Sequence, residues 1–304
     1  MIPLMIKKPH PRAIEAATKY FLTQAMASSL FLFSFTINTW TTGEWTLTSP
    51  SEIPSTLLTM AIAIKLGVAP FHMWLPEVLQ GLPIKTGLIL STWQKLAPIS
   101  ILIQMSLSIN THLLLLLGIT SMFIGGWSGI NQTQTRKILA FSSIAHLGWM
   151  VSILNFNPQL TTLNFIIYIS MTSTLFITLL LLNTKNITEL ATIWSKSPAL
   201  SALTLLSLLS LSGLPPLTGF MPKWLIAQEM IKNNLPLISF IILISSLLSL
   251  VFYLRLSYVM SLTLAPNLSF FSISWTSSPP NPMAPMITIS LLLLPITPSI
   301  WSMI

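Results

Sequence analysis

Apolar stretches of roughly bilayer length follow one another almost without interruption along this chain. A helix that crosses the hydrocarbon core needs about 20 such residues. Candidate spans lie near 14–37, 53–79, 84–107, 111–130, 135–154, 160–183, 235–264 and 284–303. A further region, 198–231, is interrupted by Gly213-Leu214-Pro215-Pro216. It counts as one long broken span, although two short ones would also fit. Runs this rich in Leu, Ile, Met and Ala favour helices, and the alternation of a membrane barrel is absent. The predicted fold is all-α: a polytopic membrane protein of about nine transmembrane helices.

Composition narrows the chemistry. Charged residues make up only 7% of the chain, which excludes an ordinary soluble enzyme or a nucleic-acid-binding domain. The sequence contains no Cys and no Asp, so thiolate, iron–sulfur and carboxylate-rich metal chemistry lack their parts. The acids are Glu15, Glu44, Glu52, Glu77, Glu189 and Glu229. No metal site is expected.

The net charge of +8 is unevenly placed. Lys7, Lys8, Arg12, Lys19, Lys85, Arg136, Lys137, Lys185 and Lys196 fall on the side of the first residues, here side A. The opposite loops near 38–52, 108–112 and 155–159 carry no Lys or Arg. This is the positive-inside pattern, so side A is the cytoplasm-equivalent face. Lys232 is the exception if 198–231 is a single span. Trp40, Trp45, Trp74, Trp127, Trp194 and Trp301 lie near span ends and read as interfacial anchors. The Pro-rich segment 265–284 reads as a loop or surface segment.

Three lysines interrupt the apolar runs: Lys65, Lys95 and Lys223. A lysine at a helix centre costs roughly 2.5–3.5 kcal/mol on insertion scales. Snorkelling accounts for lysines at span ends, such as Lys19, but poorly for Lys95, near the middle of 84–107. Burial favours the neutral amine and a nearby carboxylate favours the ammonium. A lysine held between the two can exchange a proton, as a relay requires; the alternative is a permanently charged partner in an ion pair. His146 in Phe-Ser-Ser-Ile-Ala-His shares a helical face with Ser142 and Ser143. It reads either as a packing residue or as a further relay member. Glu15 and Lys19, four apart, form a predicted pair. Glu77 is a surface acid or a link to Lys65, and Glu229 an interfacial charge.

Lys65 and Lys223 each accompany a helix break. The breaks read Gly67-Val68-Ala69-Pro70-Phe71 and Gly213-Leu214-Pro215-Pro216-Leu217, and each is soon followed by Trp-Leu. An odd number of spans separates them, so the two segments run in opposite directions. Matching Gly/Pro-interrupted segments in oppositely oriented halves point to an inverted repeat. Two ordinary Pro kinks are the plainer reading.

Several stretches carry a specific resemblance. They are PRAIEAATKYFLTQ from Pro11, KLGVAPFHMWLPEVLQGLP from Lys65, TWQKLAP from Thr92, IGGWSGINQTQTRKILAFSSIAHLGWM from Ile124 and LSGLPPLTGFMPKW from Leu211. Over almost its whole length the chain resembles the antiporter-like membrane subunits of respiratory complex I. The resemblance implies an antiporter-like inverted repeat with two broken helices in a single membrane domain, 1–304. Residues 1–107 are then the remainder of the first half-repeat, 111–264 the second, and 265–304 a loop and C-terminal helix. It implies a membrane-arm subunit of the proton-translocating NADH:ubiquinone reductase, in the mitochondrial inner membrane.

Lysines matching Lys65, Lys95 and Lys223 are proposed to pass protons in that family, and His146 matches a histidine near the same axis. NADH and ubiquinone would be substrates of the whole complex, with the redox sites in other subunits and no cofactor bound by this chain. Gly125-Gly126 lies in an apolar helical run without a preceding strand, so it is no dinucleotide turn. The implied partners are other complex I subunits, above all neighbouring antiporter-like and small membrane subunits, together with membrane lipid; no nucleic acid is expected. Family members begin with two further spans, the second bearing a Glu that pairs with the lysine matching Lys65. The chain is therefore expected to be N-terminally incomplete, the alternative being a naturally shortened subunit. A stand-alone cation/proton antiporter and a structural membrane scaffold are the competing functions.

Overall fold

The computed structural model describes residues 2–6, 10–45, 51–196 and 198–263, with Thr288, Ser290, Pro295 and Thr297 beyond. Among the described residues fourteen helices follow one another: α1 Ile2–Met5, α2 Pro11–Thr42, α3 Glu52–Leu66, α4 Trp74–Gly81, α5 Ile84–Ser91, α6 Trp93–Gln104, α7 Thr111–Ile130, α8 Thr135–Ile153, α9 Pro158–Leu182, α10 Ile187–Ala191, α11 Ile193–Lys196, α12 Pro198–Ser212, α13 Phe220–Lys232 and α14 Pro236–Leu262. No strand occurs among the described residues, only an isolated bridge between Gln134 and Asn186.

Local chemistry sets the ends. Pro11, Pro158 and Pro236 open their helices at the first turn, where a missing N–H costs nothing. Asn110 accepts from the His112 N–H at 3.1 Å and Asn157 from the Leu160 N–H at 3.2 Å, so each caps its helix. Gly43 and Gly67 close α2 and α3 in the left-handed conformation.

Five helical stretches among the described residues are long and apolar enough to cross a membrane: Pro11–Thr42, Ile84–Gln104, Thr111–Ile130, Pro158–Leu182 and Pro236–Leu262. The remaining expected spans take other forms. α8 is less apolar because it is the interior helix; nearly every residue from Ile138 to Ile153 is buried. The stretch 53–79 divides into α3 and α4, and 198–231 into α12 and α13. With 15 and 13 residues, α12 and α13 are each roughly 20 Å long. Neither alone reaches across a hydrocarbon core of about 30 Å. They read as two halves of one broken crossing, which leaves Lys232 opposite side A. The expected span near 284–303 and most of the 265–304 segment lie outside the described residues.

The core centres on α8. Leu58, Ile62, Leu102, Leu114, Leu147 and Tyr168 form one cluster where α3, α6, α7, α8 and α9 meet. Ile138, Leu175, Leu208, Phe252 and Tyr253 form another, with α12 and α14. α7 and α8 approach closely at Gly118 and Gly148, where an added Cβ would collide with the facing helix.

Many serine and threonine hydroxyls in the spans bond carbonyls of their own helix. Ser142 donates to the Leu139 carbonyl at 2.8 Å, Ser143 to Ala140 at 2.7 Å and Thr174 to Met171 at 2.7 Å. The tryptophans divide. Trp40, Trp45 and Trp127 are exposed, as interfacial anchors should be. Trp74 is not an anchor. It is buried, and its indole Nε1 donates to the Ile64 carbonyl at 3.1 Å. At the helix break that carbonyl keeps only the i+3 bond from the Gly67 N–H at 3.2 Å, and the indole adds a second donor. Trp194 donates to the Met260 carbonyl, and Trp301 lies outside the described residues.

Candidate functional site

The two breaks are built alike. Gly67 (φ 75°) ends α3 and Gly213 (φ 82°) follows α12, both in the left-handed region where glycine alone fits freely. Each break also holds a cis X–Pro bond, at Ala69–Pro70 and at Pro215–Pro216. In the second, Lys223 Nζ reaches back to donate to the Ser212 carbonyl at 2.7 Å. Its side chain lies so close over Gly213 that an added Cβ would sit 2.8 Å from Nζ.

Lys95 is the most deeply buried lysine among the described residues, with 3% of its surface exposed. The sequence reading treats 84–107 as uninterrupted, but the helix is broken at Thr92 (φ −113°, ψ −68°), three residues before Lys95. Pro98 explains the irregularity: it has no N–H for the Gln94 carbonyl and its ring crowds that group. Lys95 Nζ donates to the Tyr168 hydroxyl at 3.0 Å, and that hydroxyl donates to the Ser91 carbonyl at 3.2 Å. Nζ also lies 4.9 Å from the centre of the Tyr168 ring.

Lys65, in the last turn of α3, is half-buried, with Nζ 4.8 Å from the centre of the Phe31 ring. Among the described residues no carboxylate pairs with Lys65, Lys95 or Lys223. Glu77, a candidate link to Lys65, instead meets Lys19 at 2.6 Å, and Lys19 also bonds Glu15 as its spacing predicts. Glu229 pairs with Lys232 at 2.7 Å, away from Lys223.

Two of the three amines therefore meet the carbonyl end of a helix, while Lys65 has its backbone at such an end and its Nζ against the Phe31 ring. Lys65 lies in the last turn of α3, Lys223 bonds the last residue of α12, and Lys95 reaches the last carbonyl of α5 through Tyr168. Helix C-termini carry partial negative charge, worth about 0.3–1 kcal/mol to a cation, up to ~2 kcal/mol when partly buried. That is less than the roughly 2.5–3.5 kcal/mol that a central lysine costs. The dipole offsets part of the burial cost, and hydrogen bonds and ring faces supply the rest.

Two small cavities lie along the row. One, of about 20 Å³, is lined by Tyr20, Gln24, Lys65, Trp74, Gln94 and Lys95 among others. The second, of about 10 Å³, is lined by His146, Asn164, Tyr168, Gly219 and Lys223 among others. A single water needs roughly 10–15 Å³ by this measure. The first cavity has that room and the second is at the threshold. His146 is the one residue of 138–153 that is not fully buried, and its ring centre is 5.7 Å from that of Tyr168. The four residues singled out in the sequence are thus neighbours of one polar row. Tyr168, Ser91, Gln94 and Asn164 join them without any sequence signature. The one available clue to Tyr168 is that a tyrosine in an apolar span must find a partner for its hydroxyl. Among the described residues no group of three or more His, Cys, Asp or Glu side chains could hold a metal.

Comparisons with known proteins agree with this architecture. The family model described as NADH:quinone oxidoreductase/Mrp antiporter, TM, matches residues 1–249, and that for the NADH dehydrogenase subunit 2 C-terminus matches 250–301. NADH-ubiquinone oxidoreductase chain 2 of Aquarana catesbeiana is 55% identical over 99% of this chain and 88% of its own length. The Xenopus laevis protein of the same name is 57% identical over 98% and 88%. Among solved structures, a chain of Thermus thermophilus respiratory complex I with bound aureothin is similar at TM-score 0.80. It is 28% identical, over 96% of this chain and 71% of that one. A chain of the Mrp complex from Dietzia shares the fold at TM-score 0.82 but only 16% identity, over 98% of this chain and 68% of its own. The chain belongs to the NADH-ubiquinone oxidoreductase chain 2 family of antiporter-like membrane subunits.

Proposed function

We propose that Lys65, Lys95 and Lys223, with His146 beside them, carry protons within a membrane-arm subunit of complex I. The chain is a multi-pass subunit of the proton-translocating NADH:ubiquinone oxidoreductase of the mitochondrial inner membrane, and its partners are other complex I subunits. One observation carries the relay reading. Lys95, buried, and Lys223, half-buried, lack carboxylate partners among the described residues, yet lie with Lys65 along a row of hydrogen bonds and water-sized cavities. A fixed ion pair would hold an amine charged; a carbonyl end and a water-sized cavity leave it free to lose and regain a proton.

The residues divide the work. Lys65 and Lys95 share the first cavity, so a proton can pass between them through one water. Lys223 and His146 share the second. The Gly67 and Gly213 breaks place the ends of half-helices inside the membrane, and the row runs past both. The half-repeat 1–107 contributes the Gly67 break and 111–264 the Gly213 break. Nicotinamide and quinone chemistry belongs to other subunits, and this chain contributes amines, hydroxyls and an imidazole but no cofactor of its own.

Replacing Lys223 with Met in the assembled complex tests the reading. Intact assembly with fewer protons moved per NADH oxidised is the expected result. Unchanged pumping would leave a hydrophobic scaffold. Sodium-dependent transport by the purified chain in liposomes would favour the stand-alone antiporter.

A further inference from the structure

We propose that Tyr168 is the proton bridge between the two halves of the row, and that the Ser91 carbonyl is its latch. This rests on the relay reading above. The first cavity is lined by Lys65 and Lys95, and the second by His146, Tyr168 and Lys223. The Lys95–Tyr168 hydrogen bond links them, with donor on one cavity and acceptor on the other. Tyr168 is 1% exposed, and its ring stacks on Phe165 with centres 6.4 Å apart. The ring is thus fixed by packing, and the hydroxyl hydrogen is its one easily moved part.

The hydrogen bonds give the bridge a resting and an open state. At rest Lys95 donates to the Tyr168 oxygen, while Tyr168 donates its own hydrogen to Ser91. The peptide carbonyl is too weak a base to take that proton, so nothing moves. Turning the hydroxyl hydrogen from Ser91 toward the His146 cavity opens the path. The Tyr168 oxygen then takes a proton from Lys95 Nζ as its own proton leaves for a His146 ring nitrogen, directly or through one water. Lys95 becomes a neutral amine and His146 an imidazolium. Tyr168 remains neutral, with one O–H bond broken and one formed. The next proton reaches Lys95 from Lys65 through the first cavity.

The test uses the assembled complex in sealed vesicles, carrying Tyr168→Phe, Lys95→Met or both. Protons taken up per NADH oxidised and the uncoupled ubiquinone reductase rate are measured at matched complex content. Phenylalanine keeps the ring and its packing and removes only the hydroxyl. The proton ratio of Tyr168→Phe is expected to fall to that of Lys95→Met, with no further loss in the double variant. A wild-type ratio for Tyr168→Phe beside a lowered ratio for Lys95→Met reduces Tyr168 to packing and leaves the relay standing. Wild-type ratios for both overturn the relay and the bridge together. Should the phenylalanine variant fail to assemble, Tyr168→His decides, because it restores a ring that carries protons. Its ratio is expected above that of Lys95→Met, and a ratio no higher overturns the bridge.

Discussion

Gly213 holds its left-handed conformation directly beneath the Lys223 side chain. An alanine there would bear a left-handed cost of about 1–2 kcal/mol. Its Cβ would also claim space 2.8 Å from Nζ, displacing the amine from the Ser212 carbonyl. Gly213→Ala is therefore expected to assemble with a lowered melting temperature and to lose pumping as Lys223→Met does. A wild-type proton ratio would show that the amine's seat on that carbonyl is immaterial. At this scale the sequence was informative where a residue contradicts its surroundings. Lys65, Lys95 and Lys223 stand out because ammonium groups do not belong in apolar runs. Tyr168 does not stand out, since a ring with one hydroxyl suits an apolar helix as well as a polar row. Glu77 proves to be the surface acid of its two readings, and its partner, Lys19, is brought to it only by the packing of α4 on α2.

The pairing of α5 with α6 shows how a single imino acid positions a charge. With Pro98 in place, the Gln94 carbonyl has no intrahelical donor and the axis bends upstream of it. Pro98→Ala restores the N–H. An interior proline costs a helix ~3 kcal/mol, so this variant is expected to raise thermal stability. Straightening the helix would also carry Lys95 away from Tyr168. A higher melting temperature with fewer protons per NADH is the expected pair of readings. Raised stability with normal pumping would separate the bend from the Lys95–Tyr168 contact. The bend was legible in principle from Pro98, whereas the breaks at Gly67 and Gly213 were legible in practice, because Gly and Pro together interrupt a helix more visibly than Pro alone. What Gly-x-x-Pro spacing does not convey is which side chain repairs the exposed carbonyls. An indole does so at Ile64 and an ammonium at Ser212.

For the whole molecule, charge placement and broken crossings together fix which loops share a face. If α12 and α13 form one crossing, Lys185 and Asn234, both exposed, lie on opposite faces. The chain lacks cysteine, so Lys185→Cys and Asn234→Cys each introduce a single thiol to it. A membrane-impermeant maleimide is expected to label this subunit from opposite sides in the two variants. Labelling from the same side would make α12 and α13 two separate re-entrant pieces. Hydropathy made the all-helical membrane architecture legible because the solvent dictates it: lipid leaves no other way to satisfy a backbone. Five helical stretches among the described residues pass by length and hydropathy alone, because interior α8 and the half-helices are less apolar or shorter than a lipid-facing span.

The last described helix, α14, touches α7, α8, α10, α12 and α13. Arg255 bonds the Ile130 carbonyl, Met260 receives the Trp194 indole, and Leu248 and Phe252 fill the notches at Gly126 and Gly129. α14 behaves as a tie rod clamped at several stations along its length. A push on either end would be felt at the second break and at the central helix together, so mechanical information could travel sideways through the membrane without any loop changing shape.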